Sequence, residues 1–413
     1  MNNPTRPLQG YRILDLTIFW AGPLASMIFA DLGAEVIKVE APQRLDPFRS
    51  YGVPSGVRKM EPEYECSPLF NAPNRNKLGL TLNLAHERGR AVFHQLVKIS
   101  DAVVTNFTPR VLYQLGFDYE TLRKVKPEIV LTSISGFGDS GPWRDYLSFA
   151  AIGEALSGMN SLIGYRGEGP LMNCVGSSDP YTGITAALVT LAAIRRARRS
   201  GVGCHIEVAQ LEATIPFIAD ALMEYMLCGR VRSFDSPAGL SAAPYGTFPT
   251  AGRDQWIALS IRTDEQWRSL VEAMNFPQWV KQRELGSALE RTRNLEWLNE
   301  RVAEWTASQD KEALVQKLQE KGIPCAPVRT PSELLSDPQF KATGFFQSVD
   351  HPYAGRHPYA SLPATFDGQR APITRVGPLV GQDNRYVLCT LLGLSDQEFE
   401  ELERLGITGP PRL

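Results

Sequence analysis

The sequence predicts an α/β protein built on a doubly wound parallel sheet, with a second, smaller domain inserted after it. Short apolar strands alternate with amphipathic helices from Tyr11 to Glu212, a pattern that gives parallel strands joined by helical crossovers. Near Arg232 the texture changes to a Pro-, Gly- and Ser-rich stretch, followed by one strand and a series of Trp-bearing helices. Such a shift marks a linker into a separate α+β unit. On this basis residues 1–230 form the start of the large domain and residues 231–325 the small one.

In chain order, Tyr11 to Leu16 is a strand, and Leu24, Met27, Ile28 and Leu32 recur at helical spacing. Gly33 stops that helix and Glu35 to Glu40 is the next strand. This βαβ unit belongs to a sheet whose ligands bind outside the carboxyl ends of the strands. No GxGxxG follows the first strand, so a dinucleotide is not indicated. Pro42 to Pro73 carries Arg44, Asp46, Arg49 and Arg58 without a period and reads as an irregular excursion over the surface. The alternation resumes with a strand within Asn74 to Leu84, a helix from Arg90 to Ile99, a strand from Ala102 to Asn106, a helix from Pro109 and a strand from Ile129 to Ser133. Lys38, Asn106 and Ser135 fall at strand ends, and Arg75 and Lys77 in a turn before a strand. Together these could cradle phosphates, although each alone reads as a solvated charge.

Ser135 to Tyr146 is a Gly-dense loop that suits a ligand cover and equally a plain connection. After a helix from Phe149 to Met159 and a strand near Leu171 comes SSDPYTGITAALVTLAAIRRARRS. Asp179 before Pro180 reads as a helix N-cap, the Arg195 to Arg199 run lies at the negative end of the helix dipole, and Gly201 and Gly203 end the helix. A strand and a helix running from Gln210 to Cys228 follow. In the small domain QWIALSI is a strand, Asp264 to Glu320 is helical with Trp267, Trp279, Trp297 and Trp305, and Ile323 to Thr330 is a Pro-limited strand. PSELLSDPQF and SDQEFEELERLGI read as capped helices.

Composition narrows the function. A formal net charge of −2 over 413 residues gives no global basic field, so neither nucleic acid nor a membrane surface is an expected partner. Cys66, Cys174, Cys204, Cys228, Cys325 and Cys389 show no CxxC spacing, which points away from a metal and towards buried thiols in a reducing compartment. With no apolar leader and only a short apolar run at Ala186 to Ile194, a cytoplasmic location is expected. The five histidines share no metal spacing, and no GxSxG elbow offers a serine centre. A carboxylate nucleophile is left, and Asp179 suits it. Gly176, Ser177 and Ser178 leave room for a carbonyl, and a helix N-terminus would hold the group ionised. The capping role stands beside this one.

Seven blocks carry a family resemblance: AGPLASMIFADLGAEVIKVEAP, NRNKLGLTLNL, NFTPRVLYQLGF, SISGFGDSGPW, SSDPYTGITAAL, GIPCAPVRTPSELLSDPQF and the late GQDN with LLGLS. In combination, and nearly end to end, they resemble the family III CoA-transferases (the CaiB/BaiF family, which includes formyl-CoA transferase). The resemblance implies a Rossmann-like large domain built from both chain ends, so that residues 326–413 return to complete it, and an interlocked dimer. It implies an acyl-CoA and a carboxylic acid as substrates, coenzyme A entering as substrate with no permanently bound cofactor and no metal. It also implies Asp179 as nucleophile, Lys38, Arg75 and Lys77 near the CoA phosphates, and Asn106, Phe107 and Pro109 along the adenine and pantetheine path. Trp20, Phe137 and Gly138 fall to the substrate pocket. Gln114 stands where some relatives have a base, Trp20 where formyl-CoA transferase has a glutamine, and SPAGLSAAPYG lacks that enzyme's run of glycines. These departures favour a larger or more apolar acceptor than oxalate, with succinyl-CoA a possible donor. α-Methylacyl-CoA racemases share the blocks but pair the aspartate with a histidine where this chain has Phe149 and Ala150. A non-catalytic CoA-binding subunit of a heteromeric transferase is the other alternative.

Overall fold

A computed structural model describes residues 5–51, 61–165, 167–173, 176–234 and 242–412. Arg58, Cys174 and the first part of SPAGLSAAPYG, read above from sequence, lie outside the described residues. The chain divides into one compact unit of residues 1–235 and 343–413 and a second of residues 236–342.

The first unit is organised by six parallel strands: β1 (Arg12–Asp15), β2 (Glu35–Glu40), β3 (Leu78–Thr81), β4 (Ala102–Thr105), β5 (Val130–Ser135) and β6 (Cys204–Ala209), in the order β3-β2-β1-β4-β5-β6. β1 pairs with β2 on one side (Asp15 opposite Lys38) and with β4 on the other (Ile13 opposite Ala102). The strand order therefore reverses between β1 and β4, which is where a sheet of this kind opens a ligand crevice. Alternate residues feed two apolar layers. Ile13, Val36, Val104 and Val130 pack under α1 (Ala21–Asp31), while Leu14, Ile37, Val103 and Leu131 pack under α2 (Glu87–Lys98). Burial on both faces is why these strands read as continuous apolar runs. The chain's end closes the second layer with Val387, Leu388, Phe399, Leu402 and Ile407, and Asn384 Nδ2 donates to Thr81 Oγ1 at 2.8 Å. Both chain ends thus build the large domain.

Further helices of this unit include α3 (Pro109–Leu115), α4 (Ala150–Leu156), α5 (Ser178–Ser200), α6 (Gln210–Thr214) and α7 (Ala219–Cys228). α5 packs closely on α1, and Gly183 permits it. A Cβ there would lie 2.6 Å from both the Ala21 carbonyl oxygen and Leu24 Cδ2. Gly183→Ala is expected to destabilise this unit by about 1–3 kcal/mol, because the clash involves backbone that cannot rotate away; chemical denaturation measures it.

Several elements differ from the sequence reading. The helix expected from Gln210 to Cys228 is two helices joined by a 3₁₀ turn over Ile215–Ile218, since Pro216 cannot donate to a continuous helix. The strand near Leu171 is a two-residue ladder ending at Pro170. An antiparallel hairpin, Phe346–His351 with Gly355–Ala360, has no counterpart in the sequence reading. The cysteines are mixed: Cys66 and Cys325 are buried, while Cys228 is exposed.

The second unit holds a three-stranded antiparallel sheet of Tyr245–Pro249, Trp256–Ser260 and Cys325–Pro327. Helices Asp264–Ala273, Leu295–Thr306 and Lys311–Glu320 cover it around Phe248, Ile257, Leu259, Trp267 and Leu298. Because Ala326 pairs with Ala258, the chain has not yet left this unit at residue 326, where the return was expected. The compact division places the crossing after Ala342.

Candidate active site

A cavity of about 530 Å³ opens at the carboxyl ends of β1, β4 and β5, at the point where strand order reverses. Ile18 and Asn106, which follow β1 and β4, bracket it and are fastened together. The Asn106 amide donates to the Ile18 carbonyl at 2.7 Å and accepts from the Ile18 N–H at 2.9 Å. Phe19, Trp20, Phe48 and Phe149 give the cavity an aromatic wall; Phe19 stands edge-on to Phe48 at 5.6 Å and to Phe149 at 5.9 Å. Ile134 and Met172 add apolar surface. Among the described lining residues one has an ionisable carboxyl or basic side chain, and it is Asp179.

Asp179 is the second residue of α5. Ser177, in right-handed helical conformation, precedes the helix, and its own side chain does not cap it. The expected N-cap role is corrected: the helix starts upstream of the Asp-Pro signal, which frees the Asp179 carboxyl to face the cavity. Gln210, directly after β6, donates from Nε2 to Asp179 Oδ1 at 2.9 Å, and the backbone N–H of Ala21, the first residue of α1, also favours the ionised carboxyl. Gly176 makes the turn below it with φ +68°, and a Cβ there would meet Ala150 Cβ at 3.3 Å and the Trp20 ring at 3.6 Å. Glycine thus supplies both the left-handed backbone and the open space beside the carboxyl. Burial pushes the Asp179 carboxyl up to about 6; the Gln210 hydrogen bond and the Ala21 backbone N–H oppose this, and the neighbouring Glu154 carboxyl adds to it. Desolvation outweighs the helix terminus that was expected to keep the group firmly ionised.

The other sequence candidates divide. Trp20 and Asn106 line the cavity. Phe137 and Gly138 do not; Phe137 packs edge-on to Trp143 and Tyr146 in the adjoining loop, and Gly138 is buried against Glu207. Phe107 packs against the apolar layer under α2, and Pro109 opens α3. Lys38, Arg75 and Lys77 are corrected most. All three are buried and already paired: Lys38 Nζ with Asp46 at 2.8 Å, Arg75 with Asp31 at 2.6 Å and Lys77 with Asp15 at 2.9 Å. Lys77 also donates to the Pro23 carbonyl and to Asn74, so its three protons are spent. These cations offer no face to a phosphate. Burial would raise the Asp15 carboxyl, but Lys77 and Lys38 overcome it and hold it at about 2.

The sequence profile of CoA-transferase family III matches residues 8–384. The chain belongs to CoA-transferase family III. It is 30% identical over 401 residues to the succinyl-CoA–D-citramalate CoA-transferase of Chloroflexus aurantiacus, covering 97% of this chain and 98% of that one. It is 29% identical to the succinate–glutarate CoA-transferase of Agrobacterium fabrum, covering 95% and 97%. A crystal structure of a CaiB/BaiF family protein from Brucella suis superimposes with a TM-score of 0.83 at 27% identity, covering 93% of this chain and 99% of that one. The protein is an enzyme of CoA transfer, with CoA thioesters as substrates.

Sequence reasoning missed several parts of this family III site. Gln210 could have been found, since it directly follows the carboxyl end of a parallel strand, β6. Phe48 of the aromatic wall could not, because it comes from the segment read as a surface excursion. That segment is anchored in the interior by Asp46, which accepts from Lys38 Nζ, Phe48 N–H and Phe19 N–H at 2.8, 3.0 and 3.1 Å. Phe19 has φ 65°, an uncommon conformation for a non-glycine residue. Lys38 therefore acts on the site at second hand, by fixing the carboxylate that fixes two wall residues. Among the described residues no acidic, His or Cys group could hold a metal ion, and no helix is long and apolar enough to cross a membrane.

Proposed function

We propose that this enzyme moves CoA from an acyl-CoA, with succinyl-CoA the first donor to try, to a carboxylic acid, using Asp179 as the covalent nucleophile. The carrying observation is that Asp179 is the sole ionisable carboxyl or basic group among the described residues lining the cavity at the sheet's switch point. The Asp179 carboxylate attacks the thioester carbonyl, and the C–S bond breaks to leave a mixed anhydride and CoA thiolate. The thiolate then attacks the aspartyl carbon and releases the donor's carboxylate, leaving an aspartyl-CoA thioester. The acceptor carboxylate attacks that thioester, thiolate leaves again, and its attack on the acceptor's acyl carbon forms the new acyl-CoA and restores Asp179. The Ala21 N–H and Gln210 amide stand beside the reacting carboxyl, where they would stabilise charge developing on its oxygens.

Asn106 at the cavity edge, with Phe107 and Pro109 next along the chain, is our proposal for the pantetheine path. The aromatic wall and the lack of any Lys, Arg or His among the described lining residues support an acceptor with an apolar or aromatic body. Racemisation needs a second acid/base group, and Phe149 and Ala150 supply none. We further propose a homodimer. On α7, Leu222, Met223, Met226 and Leu227 share one face at i, i+1, i+4 and i+5 and are 45%, 49%, 69% and 79% exposed, an apolar face that suits a second copy. The heteromeric alternative keeps its interest because a relative from Chloroflexus aurantiacus, 28% identical, is an alpha subunit of a succinyl-CoA–L-malate CoA-transferase.

A panel of acids offered with succinyl-CoA and acetyl-CoA, read by mass spectrometry of the CoA products, tests this. New acyl-CoA from an apolar or aromatic acid is the expected result. Deuterium wash-in at the α-carbon of a 2-methylacyl-CoA without any transfer would establish the racemase instead. Because Asp179 must be ionised to attack, kcat/KM is expected to fall below about pH 6, about tenfold for each further pH unit. A flat profile down to pH 5 contradicts that role.

A further inference from the structure

Glu154 is an unexplained group beside the nucleophile. It lies on α4, is fully buried, and spends Oε1 on the Ser178 N–H at 3.2 Å. Its Oε2 is buried with no hydrogen-bond partner among the described residues. An unpaired buried carboxylate oxygen is costly and rare enough to need a reason. Ser178, which Glu154 grips, is the residue before Asp179, and its hydroxyl both donates to the Ala150 carbonyl at 3.1 Å and lies 3.3 Å from Gln210 Nε2. One buried network therefore joins α4, the first turn of α5 and Gln210 of α6 around the Asp179 carboxyl. The groups facing that carboxyl are the Ala21 backbone of α1, the Gln210 amide of α6 and Glu154 of α4; of these only Glu154 is ionisable.

We propose that Glu154 is a positioning residue for Asp179, fixing the turn that carries it through the Ser178 N–H and placing a second carboxyl in the same buried network. This rests on the reading of Asp179 as nucleophile. A neighbouring negative charge makes Asp179 a more basic and more nucleophilic carboxylate, at the cost of a narrower acid limit. The effect reaches Asp179 across the protein interior, so salt screens it little.

The test uses Glu154→Gln, which keeps an acceptor for the Ser178 N–H but loses the charge, with Glu154→Asp as the conservative variant. The Asp179 carboxyl is titrated by infrared difference spectroscopy, its band assigned by disappearance in Asp179→Asn, and kcat/KM is followed against pH. In Glu154→Gln the titration midpoint and the acid limb should both move to lower pH, raising activity below the limb while kcat at pH 8 falls several-fold. Glu154→Asp should restore the limb towards that of the parent. An unmoved midpoint in Glu154→Gln, or a loss of activity equal at every pH, overturns the proposal. The two failures are separable. A fully active Asp179→Asn defeats the nucleophile reading, whereas an inactive one with an unmoved Glu154→Gln midpoint defeats only the inference about Glu154.

Discussion

Asp179→Asn is expected to lower kcat by about four to six orders of magnitude, the scale seen when a covalent nucleophile is removed, while acyl-CoA still binds. The amide keeps the volume and can still accept from Gln210, so the cavity should survive. Stability should change in the opposite direction to activity. Burial holds the Asp179 proton more tightly in the folded protein (about 6) than in the unfolded chain (3.8). Folding is therefore favoured by this group at low pH, and that favour is lost as pH rises through 3.8 to about 6. The Asn variant has no such loss and should be more stable than the parent above pH 6, with the difference vanishing below about pH 4. Denaturant midpoints at pH 4 and pH 8 check the sign. A residue that weakens the fold and is needed for turnover is what an active site produces.

The largest effect on stability is expected at Arg49. Its guanidinium is 1% exposed, donates to Glu40 at 2.8 Å, to Glu65 at 2.7 Å and to the Pro378 carbonyl at 2.9 Å, and lies 3.6 Å from the Phe70 ring centre. Arg49→Met keeps much of the volume but leaves two buried carboxylates facing each other without a cation. Breaking a buried pair in this way costs about 3–5 kcal/mol. Glu40 is held below its usual range although burial pushes it up, because Arg49, first among the opposing groups, outweighs desolvation. The deficit in Arg49→Met should thus be greatest at neutral pH and shrink as the carboxylates take protons. Guanidinium denaturation of the parent and variant across pH measures it. A difference under about 1 kcal/mol would mean that the network is idle, as an exposed pair would be.

What the sequence showed and what it hid follow from range. β1, α1 and β2 were legible because their apolar periodicity is local, and so was the Gly201 stop, which is the left-handed residue at the end of α5. Asp179 was legible as a chemical candidate because the residues around it are small. Its place in the second helical position was hidden, since Ser177 adopts helical angles without a capping side chain of its own to announce them. The basic residues misled for a different reason. Nothing in NRNK shows that Arg75 finds Asp31 across 44 residues or that Lys77 finds Asp15 across 62. A charge read alone looks solvated or ready for a phosphate, and its partner is known only once the chain is folded. The Phe346–His351 hairpin was hidden because Gly355–Ala360 is largely exposed and carries no apolar alternation. Glu154 was hidden for the same reason as Lys77: in GEALSG it reads as an ordinary surface glutamate.

Covalent acylation of Asp179 during transfer is read out by hydroxylamine trapping. With acyl-CoA present, hydroxylamine should intercept the activated aspartyl group and leave a hydroxamate on Asp179, found by peptide mass spectrometry and absent without acyl-CoA or in Asp179→Asn. Turnover that proceeds with no hydroxamate at Asp179, or with the label on another residue, would contradict the account.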